Sequence, residues 1–184
     1  MSTQNFSKLH IVLAVYGLKT VTENIQNLIT QEQPGELRFT VNNKVIGEDG
    51  WLGQKKSIMI IYNYDDGDLH LVAGKEGDII NINPYVYKAT KPLYRNAVTN
   101  NAGLTVLAAT YGPEDVTEKV QELISPYKTA YFRADNSIFE DTWFGVAKTL
   151  VVVLGDAREI YAVEVFAERE SCYIDLNDAV PMFF

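Results

Sequence analysis

The residues that most often carry bond-making chemistry are scarce in this chain. Its 184 residues include one cysteine, Cys172, and two histidines, His10 and His70. A single cysteine excludes an intramolecular disulfide, and the lack of any Cys/His cluster excludes a zinc-type ligand set. As an alternating strand residue, Cys172 is expected to be an inert buried thiol. Long apolar runs are also missing. Leu150 to Leu154 is far short of the roughly 20 residues a helix needs to cross a bilayer. The polar start, Met1 to Lys8, lacks the apolar stretch of a secretory signal. The default expectation is a cytoplasmic protein without a signal peptide or membrane span, and signal-free release is compatible with the same features.

Basic charge is short as well. Sixteen Lys and Arg stand against 24 Asp and Glu, a net charge of −8. Residues 1–90 hold 8 basic and 10 acidic side chains, and residues 91–184 hold 8 and 14, so the deficit lies mostly in the second half. Nothing basic is concentrated enough to offset phosphate charge, which argues against nucleic acid or an anionic membrane as partner.

What the chain does have is a sentence repeated. Tyr16-Gly17 to Ile29 returns as Tyr111-Gly112 to Ile124 at an offset of 95, with 8 of 14 positions identical. Trp51-Leu52-Gly53 returns as Trp143-Phe144-Gly145 at an offset of 92. Such self-similarity predicts two tandem copies of one unit, residues 1–83 and 104–184, with 84–103 as linker. Each unit is small enough that its own core is marginal, so the copies are expected to pack together.

The periodicities predict a β-α-β-β-β-β unit of α+β, β-rich class, with a helix packed on a mainly antiparallel sheet. Leu9 to Tyr16 and Leu104 to Tyr111 are apolar, β-branched runs closed by glycine, and read as strands. Thr20-x-x-Glu23 and Asp115-x-x-Glu118 fit capping boxes that open short amphipathic helices. Ser57 to Tyr62 and Thr149 to Leu154 are continuous apolar runs, the pattern of strands covered on both faces. The last four strands of each unit are close enough in sequence for an antiparallel meander. Asp65-Asp66-Gly67 reads as a solvated hairpin turn, and Tyr85-Val86-Tyr87 is expected to add an edge strand or to bridge the units.

The repeated polar loop is the natural place for a site. Asn43, Glu48, Trp51 and Lys56 recur as Asn136, Asp141, Trp143 and Lys148. One reading makes this a ligand loop, with the indoles stacking on a sugar and the polar groups orienting it. The other makes each tryptophan an apolar plug between helix and sheet, with lysine and carboxylate paired. His10 and His70 become Thr105 and Ala162 in the second copy, and no nucleophile–base pair recurs. An enzyme is therefore not expected, and neither is a cofactor.

The stretch Leu104 to Gly112, then Asp115-Val116-Thr117, then Asn136 through Gly145-x-x-Lys148 to Val152 is similar to the β-rich C-terminal domain of unknown function of a mitochondrially associated DnaJ-type co-chaperone. It also resembles stand-alone microbial units of that kind. Where the family more often has Asp-Pro before the glycine, this chain has Trp51-Leu52 and Trp143-Phe144. The resemblance implies a scaffold or interaction module and supplies no catalytic residues. The expected function is a non-enzymatic structural or protein-interaction protein, self-associating through its β-rich repeats. Val180, Met182, Phe183 and Phe184 form a candidate self-association tail. The alternative is a two-site, lectin-like carbohydrate-binding protein, with a glycan as partner.

Overall fold

The computed structural model describes residues 7–90, 92–93, 104–156 and 159–177. Among the described residues the chain is β-rich, and every strand pairing is antiparallel. The first half runs β1 (Leu9–Tyr16), β2 (Lys19–Thr20), α1 (Thr22–Gln26), β3 (Leu37–Thr40), α2 (Asn43–Ile46), β4 (Ser57–Tyr64), β5 (His70–Lys75), β6 (Ile79–Ile82) and α3 (Pro84–Ala89). The second half runs β7 (Thr105–Tyr111), β8 (Glu114–Asp115), α4 (Thr117–Leu123), β9 (Thr129–Arg133), α5 (Asn136–Phe139), β10 (Thr149–Gly155), β11 (Ile160–Ala167) and β12 (Ser171–Asp175).

Strand order is β2-β1-β4-β5 in one four-stranded sheet and β8-β7-β10-β11 in the other. Each is accompanied by a two-stranded sheet, β3 with β6 and β9 with β12. The expected meander is therefore replaced. β3 does not pair with its sequence neighbour β4; it leaves for β6, which lets β4 sit beside β1. The polar loop also contains a short helix, α2 or α5, opened by the Asn42 or Asp135 side chain accepting from the backbone at Val45 or Ser137.

The continuous apolar runs have their explanation in three cores. Every residue of β4 is buried. Ile58, Ile60 and Tyr62 point to a core shared with α1 and the β3–β6 pair, whereas Met59 and Ile61 point the other way. In β10, Leu150, Val152 and Leu154 face α4 and β9–β12, and Val151 and Val153 face away. The residues facing away meet each other: Leu13, Val15, Met59 and Ile61 from one sheet pack with Leu107, Ala108, Val151 and Val153 from the other. The two sheets thus lie face to face. Side chains alternate along a strand, so an apolar run with no polar register is what a sheet buried on both faces requires.

The helices begin later than the capping boxes predicted. Their N-caps are Val21 and Val116, with no side-chain cap bond. Thr20 and Asp115 lie instead in the short strands β2 and β8. Helix side chains close the open edge of the neighbouring strand. Ala14 N donates to Thr22 Oγ1 at 3.0 Å and Ile11 N to Gln26 Oε1 at 2.8 Å. In the second half, Ala109 N donates to Thr117 Oγ1 at 2.9 Å, and Gln121 Nε2 donates to the Val106 carbonyl at 2.8 Å. The threonine and glutamine that recur in both halves thus satisfy backbone groups that would otherwise template another strand.

The expected linker opens with α3, capped by the Asn83 side chain, which accepts from Tyr85 N and Val86 N. Tyr85-Val86-Tyr87 is helical, so it adds no edge strand. Tyr87 packs against Tyr62, Tyr64 and His70. Asp65 and Asp66 both have positive φ, and Gly67 N bonds to the Tyr64 carbonyl, forming a tight hairpin turn. The tail Val180, Met182, Phe183 and Phe184 lies outside the described residues. Among the described residues no helix is long and apolar enough to cross a membrane.

His70 is 3% exposed, with its Nδ1 2.8 Å from Thr90 Oγ1 and its ring 4.1 Å from that of Tyr87. Burial holds its pKa below the ordinary histidine value, against a weaker opposing effect of Asp68. The unfolded chain takes up this proton near pH ~6.5, while the folded protein resists it. The stabilisation is complete above that pH and is lost as pH falls towards the folded pKa. Thermal unfolding between about pH 7.5 and 5.5 should show a falling Tm, and His70→Gln should flatten that slope.

Candidate interaction site at the tryptophan loops

Each polar loop is organised around a buried ammonium. Lys56 is 3% exposed, and its Nζ donates to the carbonyls of Gln54 at 2.6 Å and Trp51 at 3.4 Å. It also pairs with Asp49 Oδ1 at 3.0 Å and lies 5.6 Å from the centre of the Tyr16 ring. The hydrogen bond from Lys56 holds the Asp49 carboxyl below the usual range. Tyr16 donates its hydroxyl to Asn43 Oδ1 at 2.8 Å, and burial raises its pKa.

The second half builds the same device. Lys148, 2% exposed, donates to the carbonyls of Val146 at 2.9 Å and Trp143 at 3.4 Å. Its carboxylate partners are Asp141 at 2.9 Å and Glu168 at 3.5 Å. Its Nζ lies 5.7 Å from the Tyr111 ring, whose hydroxyl donates to Asn136 Oδ1 at 2.9 Å. Each ammonium is met by two loop carbonyls and at least one carboxylate, which is what a buried cation requires.

The clamp fixes the backbone of the loop above it. Gly53 and Gly145 sit at φ 74° and 71°, in the left-handed region where side chains are strained. Gly50 is needed for a different reason: a Cβ there would overlap the Tyr16 carbonyl.

Of the expected site residues, Asn43, Lys56, Asn136, Asp141 and Lys148 are thus brought together within their own halves and bonded internally. Glu48 is not part of the clamp. It pairs with Lys19 at 2.7 Å on the surface, and the partner of Lys56 is its neighbour Asp49. The offset of 92 that aligns the tryptophans also aligns Asp49 with Asp141, so the correct carboxylate was readable from that register. Trp51 and Trp143 are half-buried and belong to none of the three apolar cores. Neither indole fills the space between helix and sheet.

The residues that sequence reasoning passed over are the next ones along. Leu52 is 86% exposed and Phe144 is 91% exposed. These equivalent positions put a large apolar side chain almost wholly into water at the tip of a clamped loop. The two tips lie at the same end of the sandwich. Lys75 pairs across β5–β4 with Ser57, immediately after the first clamp, and its ammonium lies 5.9 Å from the ring of Trp143 in the second loop.

No protein-family model, characterised protein or solved structure matches the chain. The site has its own geometry to define it. That geometry offers two rigid apolar projections and no free polar set inside the clamps.

Replacing Lys148 with Met should leave two loop carbonyls without their donor and Asp141 without its counter-charge. A loss of about 2–4 kcal/mol in urea unfolding is expected, with a red shift of native tryptophan emission as the loop opens. An effect no larger than that of an exposed control such as Glu122→Gln would contradict the clamp.

Proposed function

We propose that this is a non-enzymatic structural or protein-interaction protein, built as two tandem copies of one β-rich unit, that docks through the two apolar loop tips at one end of its sandwich. The observation that carries the reading is the near-complete exposure of Leu52 and Phe144 at equivalent positions. An exposed apolar side chain on its own is ordinary. A pair of them, each beside a half-buried tryptophan and each on a loop whose carbonyls a buried ammonium gathers, is a preorganised contact.

Rigid anchors lose little conformational freedom on binding, and aromatic anchors dominate interface energetics. Burying one Leu or Phe fully is worth about 1.5–3 kcal/mol. The polar groups common to both halves support the non-enzymatic reading, because Tyr, Asn, Lys and carboxylate are bonded to one another and to loop carbonyls. The resemblance to the co-chaperone domain points the same way.

A carbohydrate-binding reading retains one favourable observation, the two half-buried indoles at one end, each with part of its ring open to solvent. It loses the lysines that were to orient a sugar, since these are engaged internally, and the Oδ1 of each asparagine, which accepts from a tyrosine.

A photo-crosslinking residue placed at position 144 or 52 should give discrete protein adducts in extract of the native cells, while the same residue at exposed Glu32 should give none. Absence of adducts at both tips, together with tryptophan emission that shifts on a glycan, would move the assignment to the carbohydrate reading.

A further inference from the structure

Opposite the short strands β2 and β8, the two four-stranded sheets end in β5 and β11. The β5 edge is six residues long and closes on Gly74 and Lys75. Just before it, the Leu69 carbonyl accepts from Leu93 N at 2.7 Å. The β11 edge is eight residues long, Ile-Tyr-Ala-Val-Glu-Val-Phe-Ala. Glu164 is its one charge, and it has no proline, glycine or lysine to discourage pairing.

The phase of its ladder shows which backbone groups are open. Glu168 N donates to the Lys148 carbonyl at 2.8 Å, and the register carries that pairing on through Phe166, Glu164 and Ala162. Bonded sides alternate along an antiparallel strand, so the N–H and C=O of Val163 and Val165 point away from β10. Ala167 is closed, because its N–H donates to Glu170 Oε2 at 2.8 Å and its carbonyl accepts from Glu170 N at 3.0 Å. The outward groups of Val163 and Val165 have no hydrogen-bond partner among the described residues. The side chains of the same two valines form the half-buried margin of the apolar layer between the two sheets.

We propose that β11 pairs antiparallel with β11 of a second copy of this chain, joining two four-stranded sheets into one. The strand has a register that suits its own image. About a two-fold axis at Val163, that residue exchanges both backbone bonds with its equivalent. Val165 then lies opposite the second copy's Tyr161, and Glu164 opposite the second copy's Ala162. The valines of both copies share one face and continue the layer that each sandwich already has. A register centred on Glu164 would set two carboxylates directly opposite each other, which is unfavourable.

The same surface serves both copies, so the contact closes as a dimer. One strand edge covers less than the roughly 1,200 Å² of a stable interface, and association is weak. Each copy carries a net charge of −8, so salt strengthens the dimer by screening. No loop-tip residue lies in β11, and this contact goes beyond the proposed function without resting on it.

The test uses the full-length chain. Light scattering across a dilution series should show a reversible step from one chain to two, with no further growth. Amide hydrogen exchange over the same series should show protection at Val163 and Val165 that rises with the dimer fraction. The Glu164 amide, already bonded to β10, should stay constant. Val163→Pro removes an outward N–H and leaves the β10 ladder its bonds, so it should weaken association on the order of tenfold or more. An unchanged Tm would show that this variant folds, and Val165→Lys, which charges the edge, replaces it if it does not.

A wild type that stays monomeric up to its solubility limit would overturn the inference. So would growth beyond two chains, a dimer whose Val163 and Val165 amides exchange as in the monomer, or a folded edge variant that dimerises like wild type.

Discussion

The structure depends on the apolar layer shared by its two sheets. Each four-stranded sheet is apolar on both faces, and each half covers only one of them with its own helix and strand pair. The remaining face of each sheet has only the other to meet, through Val15, Met59 and Ile61 on one side and Leu107, Val151 and Val153 on the other. A half of this size buries too small a fraction of its surface to be comfortable alone. The shared layer removes that difficulty, and it also fixes how the halves are placed. Loops that follow the same strand in each half are brought to one end.

At that end the usual distribution of polarity is reversed. The charged side chain is inside and the large apolar ones are outside. Lysine can be buried here because two carbonyls and a carboxylate surround it in each half, with a tyrosine ring beneath. The carbonyls it gathers belong to the loop, so satisfying the cation also shapes the backbone. Leu52 and Phe144 project because the residues on either side of them are tied down. A flexible loop with the same sequence would fold its apolar tip back onto the nearest surface.

Much of this was legible in particular residues. The unbroken apolar runs at Ser57–Tyr62 and Thr149–Leu154 demanded cover on both faces, though they could not say that each supplies half of the other's cover. One of the two readings of the repeated loop paired Lys56 and Lys148 with a carboxylate; the pairs form, with Asp49 in place of Glu48, but the tryptophan plug that belonged to the same reading does not. The capping boxes failed because Thr20-x-x-Glu23 and Asp115-x-x-Glu118 satisfy the spacing, whereas the threonines that matter, Thr22 and Thr117, bond the strand edge. The same bonds remove β1 and β7 as edges for another chain to pair with. The pairing of β3 with β6 was out of reach, because it skips two intervening strands and nothing local marks it. Leu52 and Phe144 stand in the sequence only as flanks of the tryptophans, since sequence does not report which side of a loop faces water.

The most direct test of this account is the distance between the tips. Spin labels at Leu52→Cys and Phe144→Cys, measured at dilution, leave Cys172 unlabelled because it is buried and its thiol pKa is pushed up to about 12. A second pair, Leu52→Cys with Asp66→Cys, spans the length of β4, roughly 26 Å for its eight residues. The account predicts that the tip-to-tip distance is the shorter of the two and narrowly distributed. A tip-to-tip distance equal to or longer than the span along β4 would mean that the tips lie at opposite ends, and the paired site would not exist.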